Sequence, residues 1–168
     1  RTLDASPLNK NAHAGLARIY SLYESNKKDS AEHHWKRSFT DGDRNVINQL
    51  WYCRQLYING KHDDYQIQLH KLKSIRLSPK IRHSIRGLLM ENDNSPSILS
   101  GKVVTKTYAY ALIESPGYYG VHFLHQNNCP IEIWNEMCIG DSLNYNLGFT
   151  FSGAAAMINS TTEGENKD

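Results

Sequence analysis

The last third of the chain alternates apolar and polar positions at a period close to two. From residue 103 to 114 the run is dense in Val, Thr and Tyr, the residue types that favour strands. A Ser-Pro-Gly turn at 115–117 ends it. Further strands are expected at residues 119–125, 131–134 and 143–151, the last with Tyr145, Leu147, Phe149 and Phe151 on one face. Short strands at this spacing are typical of a small barrel or sandwich.

The apolar residues of positions 1–92 recur three and four apart instead, which is the spacing of a helix face. Four helices are expected, at residues 12–24, 31–39, 44–58 and 63–75. A fifth should begin at Ser78-Pro79, because Ser is a favoured N-cap and Pro a favoured first helical residue. Its apolar positions would be Ile81, Ile85, Leu88 and Leu89.

The first four helices pair into two hairpins of about 35 residues each. Residues at matching positions of the hairpin pattern are Leu16, Ala17, Tyr20, Ala31, Trp35 and Ser38. This period and pattern resemble tetratricopeptide repeats. Tyr65 departs from the pattern, because it replaces the small residue that lets two helices approach closely. The fifth helix would cap such a stack, and a generic helical bundle is the alternative.

Four motifs of the β-rich segment carry a second resemblance. They are GKVV at 101–104, YAYALIE at 108–114, GVHFLH at 120–125 and GDSLNYNLGFTFSGAAAMIN at 140–159. In order, they are similar to the GKV opening, the first RNA-binding motif (KGYGFIE), the second motif (DVFVHF) and the last hairpin of cold-shock domains. The resemblance extends over about sixty residues. It implies a five-stranded barrel of the OB type whose outer face stacks on single-stranded bases.

Site residues follow from the first motif by position. The family's two stacking aromatics and its lysine fall on Tyr110, Leu112 and Tyr108, so that a leucine replaces one aromatic ring. Stacking contributes ~1–3 kcal/mol per base, and a leucine forfeits much of one such contact. The resemblance therefore implies a stacking face that is reduced but still present.

The second motif can be aligned in two registers. One register keeps His122 and Phe123 as the family's His-Phe pair, and the other places His122 and His125 where aromatic residues belong. The two registers differ by two residues.

Charge is divided unevenly along the chain. Residues 1–98 carry 16 Lys and Arg against 10 Asp and Glu, whereas residues 99–168 carry 3 against 7. The stretch Asn-Asp-Asn-Ser-Pro-Ser at 92–97 has the composition of a linker. We therefore expect an α+β protein of two domains, with tetratricopeptide-like helices at 1–92, a linker at 93–100, a cold-shock-like OB barrel at 101–160 and a disordered acidic tail at 161–168.

Neither an enzyme nor a metal protein is indicated. The chain has no P-loop, GxSxG, HExxH or Gly-rich dinucleotide motif, and no cofactor is expected. His122 and His125 lie on an expected strand, where side chains three residues apart point to opposite faces, and Cys129 follows four residues later. A metal site shared by these residues is therefore not expected. The three cysteines, at closest nine residues apart, suggest a reducing, cytoplasmic setting. No apolar run reaches membrane length, and an Arg at position 1 suits a portion of a longer protein.

Two functions from different classes compete. In the first, the chain is a module that binds single-stranded RNA or DNA weakly, with a dependence on salt and without strong sequence preference. The residues expected to contact the strand are Tyr108, Tyr110, Leu112, His122, Phe123, Lys102, Lys106, Arg82 and Arg86, the two arginines belonging to a basic run at 71–86. In the second, the helical repeats bind a protein partner and the barrel is only structural.

Overall fold

A computed structural model describes residues 9–159 and divides the chain into two compact units. The helical unit extends to Arg82 and also includes Asn92–Asn94. The barrel unit comprises His83–Glu91 and the residues from Ser95 onwards. The acidic tail expected at 161–168 lies outside the described residues.

Among the described residues, the helical unit has four helices of ten or more residues, each within three residues of its expected ends. They are α1 (Lys10–Tyr23), α2 (Lys28–Arg37), α3 (Val46–Ile58) and α4 (His62–Ser74). The Asn9 side chain caps α1 by accepting a hydrogen bond from the Ala12 N–H at 3.0 Å. Gly60, at a φ of +72°, follows the end of α3 in the left-handed region where glycine is favoured.

Trp35 lies in the core of the helical unit, as its helical spacing predicted. Its indole is fully buried and stacks on Trp51 with 5.5 Å between ring centroids. The indole N–H donates to the Ser21 Oγ at 2.8 Å, so burial leaves no polar atom of Trp35 unpaired. Ala17 and Ala31 are also fully buried and belong to the same cluster, which joins α1 to α2.

The barrel unit holds five strands, which close into a barrel in the order β1-β2-β3-β5-β4. The strands are β1 (Leu99–Lys106), β2 (Tyr110–Glu114), β3 (Val121–His125), β4 (Ser142–Thr150) and β5 (Gly153–Met157). All neighbouring pairs are antiparallel except β3 and β5, which meet in parallel at Phe123 and Ala155. Helices followed by a closed five-stranded barrel confirm the predicted α+β class, and the barrel is compatible with an OB-like fold.

Two predictions inside the barrel are wrong in detail. The alternating run at 103–114 is two strands, because a turn at 107–109 interrupts it. There the Thr107 Oγ accepts hydrogen bonds from the N–H groups of Ala109 and Tyr110. The run at 131–134 is a helix, α6 (Ile131–Glu136), that begins after Pro130. Four residues are too few for periodicity to distinguish a strand from one helical turn.

The predicted fifth helix ends after a single turn, α5 (Pro79–Arg82). The following residues, His83–Glu91, belong to the barrel unit. Arg86 forms an antiparallel bridge with Phe149 of β4, with N···O distances of 2.9 and 2.8 Å. Ile85, Leu88 and Leu89, which were expected on a helix face, therefore lie in a segment that pairs with a strand.

Buried residues of all five strands form the barrel core, alternating with exposed ones along β3 and consecutive along β5. Its fully or almost fully buried members include Val103, Ala111, Ile113, Leu124, Tyr145, Leu147, Phe149 and Ala156. Gly148 is buried between these β4 residues, on the side where a Cβ would lie 2.5 Å from the Cγ2 of Ile85. The predicted apolar face of β4 is thus confirmed, and β4 is covered on its other face as well.

Candidate nucleic-acid interface

Two aromatic rings lie on the outer face of β2 and β3. Tyr110 and Phe123 occupy positions that alternate with the buried Ala111 and Leu124. Their rings stack with 5.1 Å between centroids and 24° between planes. Phe123 keeps 42 % of its surface exposed. The two rings therefore lie outside the barrel core and present an aromatic surface to solvent.

Leu112 is the aliphatic neighbour of this pair, directly opposite Phe123 in the β2–β3 register. It is half-buried. We call the surface formed by Tyr110, Leu112 and Phe123 the aromatic face. Tyr108, in the turn between β1 and β2, is 91 % exposed. Its ring is therefore accessible to a ligand over most of its surface.

His122 is not part of the aromatic face. Its side chain is fully buried, and its Nδ1 lies 2.7 Å from the hydroxyl oxygen of Tyr145. Burial lowers the pKa of His122 to about 4, although a backbone hydrogen bond with Tyr119 opposes the shift. The neutral imidazole is therefore a hydrogen-bonded core residue. On β3 the structure places Phe123 on the outer face and His122 inside the barrel.

The two barrel lysines differ in their surroundings. The Lys106 ammonium lies 4.1 Å from the ring centroid of the buried Trp134, a cation–π contact with α6. Lys102 is exposed on β1 and pairs in register with Glu114 of β2. Lys102 is thus the more accessible of the two for a phosphate contact.

Arg82 and Arg86 fall in different units. Arg82, in α5, donates a hydrogen bond to the Ile75 carbonyl within the helical unit. Arg86, in the barrel unit, has its Nη1 3.5 Å from the Ser84 carbonyl oxygen. Both guanidinium groups are half-buried. Whether the basic run at 71–86 acts with the aromatic face stays a prediction.

The charge of the barrel unit is slightly acidic over its described residues, with three basic side chains against five acidic ones. The basic residues are Arg86, Lys102 and Lys106. Phosphate neutralisation requires Lys or Arg and is the main source of non-specific affinity for nucleic acids. The aromatic face therefore offers stacking with little electrostatic support.

A depression of about 650 Å³ lies on the outer surface of β2 and β3, at the end of the strands that holds Glu114 and Val121. Its lining includes Ser100, Lys102, Glu114, Tyr118, Val121 and Ser142. Sequence reasoning missed this depression. The missing information was the register, which sets Glu114 opposite both Lys102 and Val121.

Gly101 also lines this depression, where β1 approaches β2 closely. A Cβ on Gly101 would lie 2.6 Å from the backbone oxygen of Glu114 and 2.8 Å from the Cγ2 of Ile113. Only glycine fits between these atoms without a shift of the strands. The glycine of the GKVV motif thus has a packing reason in this barrel.

Residues 9–159 contain no group of three or more His, Cys, Asp or Glu side chains arranged to hold a metal ion. Within the same residues, no helix has both the length and the apolar character needed to span a bilayer. No protein-family model, curated protein or solved structure matches the chain.

Proposed function

We propose that the barrel unit is a non-catalytic module that binds single-stranded nucleic acid, with RNA as the first candidate. The observation that carries the proposal is the stacked, partly exposed pair Tyr110 and Phe123 on the outside of a closed five-stranded barrel. Bases stack on such rings with ~1–3 kcal/mol each, and every base has a π-face to offer. The cold-shock-like motifs support the same reading.

The affinity should depend on salt only modestly. The exposed Lys102 and the partly buried Lys106 could each neutralise one phosphate of a single strand. The slope of log K against log salt would then be about −1.4, since each phosphate contact contributes roughly −0.7. A steeper slope would indicate that Arg82 and Arg86 also contact the strand.

Fluorescence anisotropy of labelled oligo-U and oligo-dT at low salt tests the proposal. Tyr110→Ala should weaken binding by ~1–3 kcal/mol if its ring carries one base. Tyr23→Ala is the matched control, because Tyr23 is a 70 % exposed tyrosine of the helical unit. Absence of binding at ~0.1 mM protein, or equal affinities for both variants and the unmodified chain, would refute the proposal.

A second candidate is protein interaction through the helical unit, which we propose to be a pair of degenerate tetratricopeptide-like hairpins. A cavity of about 240 Å³ in this unit favours it. The apolar residues that line it are Phe39, Tyr52, Leu56 and Ile67. Ile67 is 59 % exposed, and a partner's apolar side chain could pack against it. If no oligonucleotide binds, chemical-shift changes at these residues on adding apolar-anchored peptides would support this candidate.

We also propose a cytoplasmic setting. The three cysteines form no disulfide with one another in the described structure, as expected in a reducing compartment. Burial raises the pKa of the Cys53 thiol to about 12, so Cys53 is a small apolar core residue and not a nucleophile.

A further inference from the structure

The depression beside the aromatic face combines an aromatic ring with two opposite charges. Tyr118 is 40 % exposed and Val121 46 % exposed, and both line it. Glu114 and Lys102 face each other across β1 and β2 at its edge. Its volume of about 650 Å³ falls in the range of small-molecule sites. We call this depression the Glu114 pocket.

The carboxylate of Glu114 is available to a ligand. It makes no side-chain hydrogen bond or ion pair with another residue in the part of the chain that the structure describes, and the same holds for the Lys102 ammonium. An exposed ion pair of this kind stabilises a fold only weakly even when it forms. A planar ligand with donors for the carboxylate and an acceptor for the ammonium can therefore bind between the two groups.

We propose that the Glu114 pocket binds a guanine base. Guanine presents two adjacent donors, N1–H and the N2 amino group, which match the two oxygens of one carboxylate. Its O6 acceptor lies on the same edge and suits the Lys102 ammonium. The ring would stack on Tyr118 and pack against Val121.

The other bases match the Glu114 carboxylate and the Lys102 ammonium less well. Adenine places an acceptor, N1, beside its amino donor, where the carboxylate of Glu114 would repel it. Uracil has a single N–H donor between two acceptors, so it can offer the carboxylate only one hydrogen bond. Hypoxanthine keeps the N1–H and O6 of guanine but lacks the N2 amino group. It therefore isolates one of the two hydrogen bonds to Glu114.

The guanine could come from a single strand or from a free nucleotide. For a strand, the inference rests on the proposed function. Val121 and Phe123 are alternate residues of β3 on the same outer face, about 7 Å apart by strand geometry. One strand could thus place a guanine in the Glu114 pocket and a neighbouring base on the aromatic face. A free nucleotide would use the pocket alone.

Two titrations of the full chain test the inference. In the first, anisotropy compares labelled U-rich oligonucleotides whose central base is guanine, hypoxanthine, adenine or uracil. Guanine should bind roughly tenfold more tightly than adenine or uracil, with hypoxanthine between them. In the second, GMP and AMP are added separately while amide chemical shifts are recorded. GMP should shift Glu114, Tyr118 and Val121 more than AMP does.

Glu114→Gln is the deciding variant, because it keeps the size of an exposed side chain but loses the charge and one acceptor. It should abolish the preference for guanine and leave the uracil oligonucleotide bound as before. Glu136→Gln removes the same charge from an exposed residue of α6 that does not line the pocket. It should keep the preference.

The outcomes separate this inference from the proposed function. Oligonucleotides that bind equally whatever the central base, with no GMP-specific shifts, overturn the guanine site and leave the stacking function standing. GMP-specific shifts without any oligonucleotide binding support the pocket and overturn the proposed function. Absence of both effects overturns both. A preference for guanine that survives Glu114→Gln also refutes the assignment to this pocket.

Discussion

Acidification should destabilise the barrel unit through one buried imidazole. His122 has a pKa of about 4 in the fold, against an ordinary value of 6.5. The folded barrel therefore holds the neutral form, whereas the unfolded chain takes up a proton near pH 6.5. Proton uptake favours unfolding between these two values. The stabilisation is complete above pH 6.5 and is lost as the pH falls towards 4.

The size of the effect follows from the difference between the two pKa values. One pKa unit corresponds to 1.36 kcal/mol, so the full loss is about 3 kcal/mol below pH 4. At pH 5 roughly 2 kcal/mol should already be gone, because the unfolded imidazole is then almost fully protonated. A loss of this size is a large fraction of the stability of a small domain.

Hydrogen–deuterium exchange at pH 7 and pH 5 measures the effect, after correction for the intrinsic exchange rates. Peptides covering β4 and β5 report the opening free energy of the barrel unit separately from the helical unit. His122→Gln keeps an acceptor for the Tyr145 hydroxyl and removes the titration, so its pH 7 to pH 5 loss should be about 2 kcal/mol smaller. His125→Gln, on the outer side of the same strand, is the matched control. Equal losses in the unmodified chain and in His122→Gln would refute the reasoning.

Two further substitutions test the packing. Trp35→Ala should destabilise the helical unit by ~3–5 kcal/mol, because it removes the stack on Trp51 and leaves the Ser21 hydroxyl without its donor; an unchanged urea midpoint would contradict this. Gly101→Ala should destabilise the barrel unit by ~1–3 kcal/mol, because its Cβ would meet the Glu114 backbone oxygen at 2.6 Å. Full native protection of β1 and β2 amides in that variant would show that the strands move apart without cost.

The sequence predicted the elements whose signals are local. Helices α1 to α4 have apolar stripes and end signals such as Gly60 within their own residues. The interior face of β4 was equally visible, since Tyr145 and Leu147 alternate with less apolar neighbours. The prediction of a long fifth helix failed at Ile85 and Leu88. Their spacing suits a helix, but their segment pairs with a strand some sixty residues later. No local pattern records such a pairing.

The candidate site was predictable only where the signal lies within a single motif. Tyr110 and Phe123 followed from position within motifs, but the same motifs also put His122 among the residues expected to contact a strand. Its burial and its hydrogen bond with Tyr145 show that His122 lies inside. The Glu114 pocket could not be predicted, because it depends on pairing across three strands that are separate in sequence.

The segment His83–Glu91 also determines where a fragment that contains the whole barrel unit must begin. Composition suggests a boundary near residue 92, and a fragment starting there would carry all five strands of the barrel. It would nevertheless lack the residues that bond to the backbone of Phe149 and cover Gly148. The N–H and C=O groups of Phe149 and the C=O group of Leu147 would then lose their hydrogen-bond partners and be open to pairing with another chain. A fragment that begins at or before His83 keeps β4 covered, so the smallest autonomous barrel is longer than its strands suggest.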